Sequence, residues 1–153
     1  MFKSIVVGTD GSVGASKAVL AAAELAATQP DSVLHIVTVQ KPLSPTAMAA
    51  GEMAAAAPVA AERDWESEIR DELEQTLDRA AETAGRAGET RIETHARFGS
   101  AAEVLCDMAG HLHADLIVVG NRGMQGGRRF LGSVPNSVSH HAPCSVLIVD
   151  TVE

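Results

Sequence analysis

The chain has 153 residues, a formal net charge of −8 and an aromatic content of only 3%. The acidic balance disfavours nucleic acid and anionic membranes as partners, and so few rings leave no platform on which bases could stack. This length fits a single domain over residues 1–153, which is large enough to bury a core.

The sequence shows no recognisable targeting segment and has only two cysteines. The chain enters its first strand directly, without a signal peptide or a run of about 20 apolar residues, so we expect a cytoplasmic protein with no membrane partner. Cys106 and Cys144 are too few for a disulfide framework and are expected to be buried, reduced thiols.

Short apolar runs rich in β-branched residues alternate with longer helical patterns. Strands are predicted at residues 4–9, 33–39, 91–98, 116–120 and 145–149. Helices are predicted at residues 16–27, 61–87, 101–111 and 133–141. Residues 40–60, rich in Ala and Pro, are expected to form a flexible connection, with a mobile lid as the alternative.

This alternation predicts an α/β fold. Strands that read as continuous apolar runs are typical of a parallel sheet with helices on both faces. Right-handed crossovers then favour a doubly wound five-stranded sheet of order 3-2-1-4-5. A ligand crevice is expected beyond the carboxyl ends of strands one and four, whose outgoing loops diverge.

Glycine is concentrated after the fourth strand. Gly120-Asn-Arg-Gly123 follows the apolar run of residues 116–119 directly, and Gly132-Ser133 opens the last helix. Glycine allows the backbone to approach a ligand, while N–H groups and the helix dipole favour an anion, so this segment predicts a phosphate site. Ser133 is expected to cap the helix, to bind a phosphate oxygen, or to do both.

Asp10 ends the first strand, at the mouth of the expected crevice. Its carboxylate either accepts hydrogen bonds from a ligand or stabilises the turn Asp10-Gly11-Ser12 and caps the next helix. Both interpretations stay open from position alone.

Other nucleotide and metal motifs are missing. The chain lacks G-x-x-x-x-G-K-[ST] and G-x-G-x-x-G, and no Asp ends the third strand as a phosphoacceptor. His140, His141 and Cys144 match no zinc spacing, so no metal site is expected there, and the two histidines are expected to end the last helix. No catalytic residues are predicted.

Taken together, the segments IVVGTDGS (5–12), LIVVGNRG (116–123), LGSVPN (131–136) and APCSVLIV (142–149) resemble the universal stress protein family. The resemblance extends over essentially the whole chain. It implies the adenine-nucleotide α-hydrolase type of fold, with the same strand order.

The resemblance also implies a nucleotide site. Asp10 would contact the adenosine, Gly8 and Thr9 would line its pocket, and Val39 and Val119 would flank the adenine. The phosphate side would be formed by Gly120, Asn121, Arg122, Gly123, Gly132, Ser133 and Val134. ATP, with or without magnesium, is the implied ligand.

The sequence differs from the family's ATP-binding pattern in the segment that would hold the phosphates. ATP-binding members carry G-x-x-G, nine residues and then G-[ST], whereas residues 124–131 form a spacer of eight. AMP and cyclic AMP therefore stay open as ligands, because they share the adenosine pocket and differ only at the phosphates.

The resemblance implies a homodimer joined through the last strand, Ser145 to Val149, whose apolar edge needs a partner. A phosphate loop without an evident catalytic pair favours a stress sensor or adaptor over an enzyme. A slow ATPase or self-phosphorylating protein, and a nucleotide-free dimer that binds a protein partner, are the alternatives.

Overall fold

The computed structural model describes residues 1–42, 60–122 and 131–151, and for residues 60–66 it describes the backbone alone. The strands are β1 (Ser4–Thr9), β2 (Val33–Gln40), β3 (Arg91–Phe98), β4 (Leu116–Gly120) and β5 (Ser145–Val149). The helices in this part of the chain are α1 (Val13–Ala27), α2 (Ala60–Gly85), α3 (Ala101–His111) and α4 (Ser133–His141).

The strands form one parallel sheet of order β3-β2-β1-β4-β5, which confirms the predicted topology. In the register, Val6 of β1 lies opposite His35 of β2 on one side and Ile117 of β4 on the other. Parallel pairing places the carboxyl ends of all five strands along the same edge of the sheet.

Helices cover both faces of the sheet. On one face, Ile5 and Val7 pack with the small side chains of α1 and with Leu77 of α2. On the other face, Val6 packs with Leu105 of α3 and Val138 of α4. Alternate residues of β1 therefore belong to separate cores, as the two-residue period of a strand requires.

The apolar stripe predicted for the long helix is largely buried. Leu73, Leu77, Ala80 and Ala84 are each less than 8% exposed, while Ile69 near the beginning of the stripe is half-buried. A repeat of three to four residues had indicated one face turned to the sheet, and the burial confirms it.

Three predicted boundaries shift. Helix α1 begins at Val13 rather than at residue 16, because the Ser12 side chain accepts a hydrogen bond from the Ala15 N–H and caps it. Strand β2 extends to Gln40, which lies opposite Phe98 in β3. Helix α2 covers residues 60–85 rather than 61–87, and its last turn tightens where the Ala87 N–H donates to the Ala84 carbonyl oxygen.

Two expectations concern the rest of the chain. Most of the 40–60 connection lies outside the described residues, so its flexibility stays a prediction. Across the described residues, no helix combines the length and the apolar character that crossing a bilayer requires.

Candidate functional site

A cavity of about 520 Å³ lies at the carboxyl edge of the sheet, over β1 and β4. It is lined by Gly8, Thr9, Asp10, Ala15, Val37, Val39, Lys41, Ala101, Leu105, Val119, Gly120, Arg122, Gly132, Ser133, Val134 and Pro135. Its volume lies within the range that suits small-molecule ligands.

The topology explains why the cavity forms here. After β1 the chain turns to α1 on one face, and the helix that follows β4 lies on the opposite face. Among the described residues, the two connections therefore leave in opposite directions from neighbouring strand ends, which is the arrangement that creates a ligand crevice at the switch point of a doubly wound sheet.

One wall of the cavity is apolar. Val37 and Val39 come from β2, Val119 from β4 and Leu105 from α3. A Cβ atom added to Gly8 would lie 2.9 Å from Leu105 Cδ1, and Leu105 is only 2% exposed. Gly8 therefore allows α3 to pack directly on β1 while the end of the strand stays open to a ligand.

Asp10 stabilises the turn after β1. Its Oδ1 accepts a hydrogen bond from the Ser12 N–H at 2.9 Å, and Gly11 between them adopts a φ of +78°. The turn interpretation is therefore confirmed, but Ser12 rather than Asp10 caps α1, so the capping expectation was wrong. Asp10 is exposed and also lines the cavity, so the structure is compatible with a second role in ligand contact.

The amino-terminal end of α4 faces the cavity. The N-cap residue is Gly132 and Ser133 is the first helical residue, so of the alternatives for Ser133 the capping role is excluded and phosphate binding stays a prediction. The first N–H groups of an α-helix have no partner within the helix, and its dipole adds positive potential at this end. Ser133 and Val134 are thus positioned to donate backbone hydrogen bonds to an anion.

Asn121 has partners away from the cavity. Its Nδ2 donates to Asp150 Oδ1 at 2.8 Å, and its Oδ1 accepts from the Thr151 backbone N–H at 3.1 Å and from Thr151 Oγ1 at 2.6 Å. Its backbone carbonyl oxygen accepts from the Gly132 N–H. Asn121 does not line the cavity and instead ties the loop after β4 to the segment after β5 and to the beginning of α4.

Two cationic side chains line the cavity within the described part of the chain. Arg122 was predicted and lines it, whereas Lys41 was not predicted. Lys41 follows β2 directly, and this position at the carboxyl edge was the signal that could have identified it. The remaining lining residues that sequence reasoning missed are Ala15, Val37, Ala101, Leu105 and Pro135. Gly123 lies outside the described residues, as do residues 124–130 of the spacer.

The cysteines and the terminal histidines behave as the sequence indicated, with one difference. Cys106 and Cys144 are free thiols that are half-buried rather than fully buried. Burial raises the pKa of both thiols, which keeps them protonated at neutral pH. His140 and His141 occupy the last turn of α4, as expected.

Residues 1–150 match the model of the universal stress protein family. The chain is 35% identical to Universal stress protein Rv1636 of Mycobacterium tuberculosis over 151 residues, which cover 98% of this chain and 97% of the relative.

Solved structures of similar proteins share the fold. A crystal structure of a universal stress protein in complex with cAMP has a TM-score of 0.72 and 32% identity, and covers 99% of this chain and 98% of that one. A universal stress protein from Archaeoglobus fulgidus in complex with dAMP has a TM-score of 0.65 and 21% identity, with coverage of 96% and 97%. With its strand order and its motifs, the chain belongs to the universal stress protein family.

Proposed function

We propose that the chain binds an adenine nucleotide, with ATP as the first ligand to test, and acts as a homodimeric stress sensor or adaptor in the cytoplasm. One observation carries the proposal. A single cavity combines an apolar wall with a helix amino terminus and two cationic side chains. A nucleotide needs an apolar surface for its base and hydrogen-bond donors with positive charge for its phosphate, and the two must lie close enough for one molecule to reach both.

The apolar wall suits the base. Val39 and Val119 line the cavity from strands that flank β1, and Leu105 lies behind Gly8. Branched aliphatic side chains can contact both faces of a purine, and burying this apolar surface would contribute to the affinity. Asp10, which follows β1 directly and lines the cavity, would accept hydrogen bonds from ribose hydroxyls.

The opposite side suits phosphate. The N–H groups at the beginning of α4 and the Ser133 hydroxyl offer donors, and Lys41 and Arg122 add positive charge. A magnesium ion bound with the nucleotide would neutralise part of the phosphate charge. Asp10 is the sole carboxylate among the described cavity-lining residues, so most ligands of such an ion would come from phosphate and water.

The similar structures support the proposal of an adenine pocket, but they leave open how many phosphates the bound nucleotide carries. One relative is solved with cAMP and another with dAMP, and each carries a single phosphate. Their ligands and the eight-residue spacer make AMP and cAMP direct competitors to ATP in the proposal.

The described residues of the cavity favour binding over turnover. Phosphoryl transfer needs an oriented nucleophile and a metal held against the phosphates. Asp10 already accepts a hydrogen bond from the Ser12 N–H, and no second lining carboxylate accompanies it in the described chain. We therefore propose a protein that signals through its bound state.

The sheet edge supports the dimer. Strand β5 pairs with β4 on one side, and Val146 to Val149 stay half-buried in the single chain. The Val149 carbonyl oxygen accepts the Asn121 N–H beside β4, so the N–H of Ile148 points to the other side. Pairing of two β5 strands would satisfy this edge and cover its apolar side chains.

The ligand test is calorimetric titration of magnesium-ATP into nucleotide-stripped protein, with AMP and cAMP as competitors. Saturable binding near one site per chain supports the proposal, and the preferred competitor identifies the phosphate requirement. Folded protein that binds none of the three contradicts it.

Matched variants locate the site. Ser133→Ala and Lys41→Ala should weaken binding of ATP more than that of AMP, because they remove contacts to phosphate. Ser139→Ala, on the same helix but with its hydroxyl bonded to the Asn136 carbonyl oxygen, and Lys3→Ala, at the opposite end of the sheet, should leave affinity unchanged. Equal effects from the control variants would place the ligand elsewhere.

The dimer test compares Ile148→Pro with Ile148→Ala by analytical ultracentrifugation. Both variants replace the isoleucine side chain with a smaller one, but only proline removes the outward N–H. Selective dissociation of the proline variant supports pairing through β5. A wild-type chain that sediments as a monomer contradicts the dimer without affecting the nucleotide proposal.

A further inference from the structure

Three side chains able to coordinate a metal ion converge on β2 and β3, and none of them lines the cavity. His35 lies opposite Glu93 in the register, and His95 follows Glu93 two residues later, so all three project from one face of the sheet. It is the face covered by α3 and α4, since Val6, the neighbour of His35 in β1, packs there. No sequence spacing signals this group, because residues 35 and 93 meet only through strand pairing.

The distances suit one tetrahedral ion. His35 Nδ1 lies 3.2 Å from His95 Nε2 and 3.4 Å from Glu93 Oε2. Two ligand atoms about 2.0–2.1 Å from a zinc ion at a tetrahedral angle are separated by about 3.3 Å. All three ligand atoms lie within 4.8 Å of one another, and rotation of the partly exposed Glu93 side chain can close the remaining distance.

The chemistry of the three groups also suits a metal. Each histidine supplies an imidazole nitrogen and Glu93 supplies a carboxylate oxygen, and both are donor atoms that zinc binds. Arg91 Nη2 donates to Glu93 Oε1 at 2.6 Å, which orients the carboxylate and directs its other oxygen towards His35. A partner of this kind holds a metal ligand in place.

We infer that His35, Glu93 and His95 form a site for a zinc-class divalent transition-metal ion, which would join β2 to β3. Two imidazoles and one carboxylate are a common ligand set for zinc, with a water or an external ligand at the fourth position. His35 is 6% exposed and forms the inner side of the site, while Glu93 is 33% exposed and leaves a path from solvent.

The test titrates Zn²⁺ into chelator-stripped full-length protein against a chromogenic zinc indicator. We expect one ion per chain that is bound competitively with the indicator, and a rise in Tm on binding. His95→Ala and Glu93→Gln should each weaken this binding by about tenfold or more, since losing even an outer-shell partner of a zinc ligand typically costs about 10–100-fold.

His140→Ala is the matched control, because it removes an exposed histidine from a different part of the chain. It should bind Zn²⁺ like the wild type. Co²⁺ substitution adds a second readout, with a tetrahedral visible spectrum and no thiolate charge-transfer band. Circular dichroism and a cooperative thermal transition establish that each variant is folded. If His95→Ala does not fold, Glu93→Gln alone tests the inference.

Three results would overturn the inference. The first is folded wild-type protein that takes up no Zn²⁺. The second is an affinity in folded Glu93→Gln and His95→Ala equal to that of the wild type. The third is a Co²⁺ spectrum with thiolate charge transfer, which would place the ion at Cys106 or Cys144. None of them bears on the nucleotide proposal, since the three ligands do not line that cavity.

Discussion

The two ends of the sheet satisfy their backbone polar groups in different ways. At the amino end, Asp115 Oδ2 accepts from the N–H groups of Lys3 and Ser4, and Ser32 Oγ donates to the Ala26 carbonyl oxygen. At the carboxyl end, the first N–H groups of α4 face a cavity instead. One end is closed by the chain's own side chains, and the other presents donors to a ligand.

This contrast separates stability from binding. Groups satisfied inside the fold contribute to the free energy of unfolding, whereas groups left for a ligand contribute to affinity. Changes at the amino end should therefore alter stability alone, and changes at the carboxyl end should alter binding as well.

The largest effect is expected from truncating one buried leucine at each end. Leu34 is fully buried in β2 near its amino end, and Leu105 is 2% exposed and lines the cavity. Each change to Ala should lower the free energy of unfolding by about 2–5 kcal/mol in urea titrations. Only Leu105→Ala should also weaken nucleotide binding, by about 1–3 kcal/mol, because its side chain packs where the base is proposed to lie. Equal nucleotide affinities in the two variants would contradict the proposed contact between Leu105 and the base.

A second prediction separates the two roles of Asp10. Asp10→Asn keeps an oxygen that accepts the Ser12 N–H but loses the charge, whereas Asp10→Ala loses both. Calorimetry should show nucleotide binding weakened by about 1.5–3 kcal/mol in both variants, the contribution typical of a hydrogen bond to a charged group. Tm should fall only in the alanine variant. An unchanged nucleotide affinity in Asp10→Asn would contradict the proposed contact between the Asp10 carboxylate and the ligand.

A third, smaller effect is expected at Asn121, which belongs to the carboxyl end but does not line the cavity. Asn121→Ala removes the side-chain bonds to Asp150 and Thr151, so the loop after β4 loses its side-chain attachment to the segment after β5 and keeps only its backbone bonds. Nucleotide binding should weaken by about 0.5–1.5 kcal/mol. Asn136→Ala, an exposed position in α4, is the control, and an equal loss there would contradict a specific attachment.

The smallest effect is expected from Asp115 at the amino end. Hydrogen bonds from the Ser4 and Lys3 N–H groups hold the pKa of Asp115 below its ordinary value of 3.8. A carboxyl whose pKa is lower in the folded state stabilises the fold above the unfolded pKa, and this contribution is lost as pH falls through the folded pKa.

Asp115→Asn should therefore be slightly less stable than the wild type at pH 7, and the difference should shrink as pH falls below about 3.8 and vanish below the folded pKa. Urea unfolding at pH 7 and in acid measures this difference in the free energy of unfolding. Nucleotide affinity at pH 7 should not change, and a loss of affinity would show that the two ends are coupled.

Local sequence determined most of the fold. The strands at residues 4–9, 91–98, 116–120 and 145–149 were predicted with the bounds that the structure has, because apolar β-branched runs between turn residues leave few alternatives. The order of the strands followed from right-handed crossovers, and glycines at the exit of β4 marked the phosphate side of the candidate site.

Tertiary structure decided what depends on register and on the choice of hydrogen-bond partner. Sequence spacing did not show that Gly132 rather than Ser133 caps α4, that Asn121 turns to Thr151, or that Lys41 reaches the cavity. Nor could it bring His35 to His95, since the two residues are 60 positions apart and meet only because β2 pairs with β3. Periodicity fixes which residues share a face of an element, but only packing fixes which elements bring those faces together.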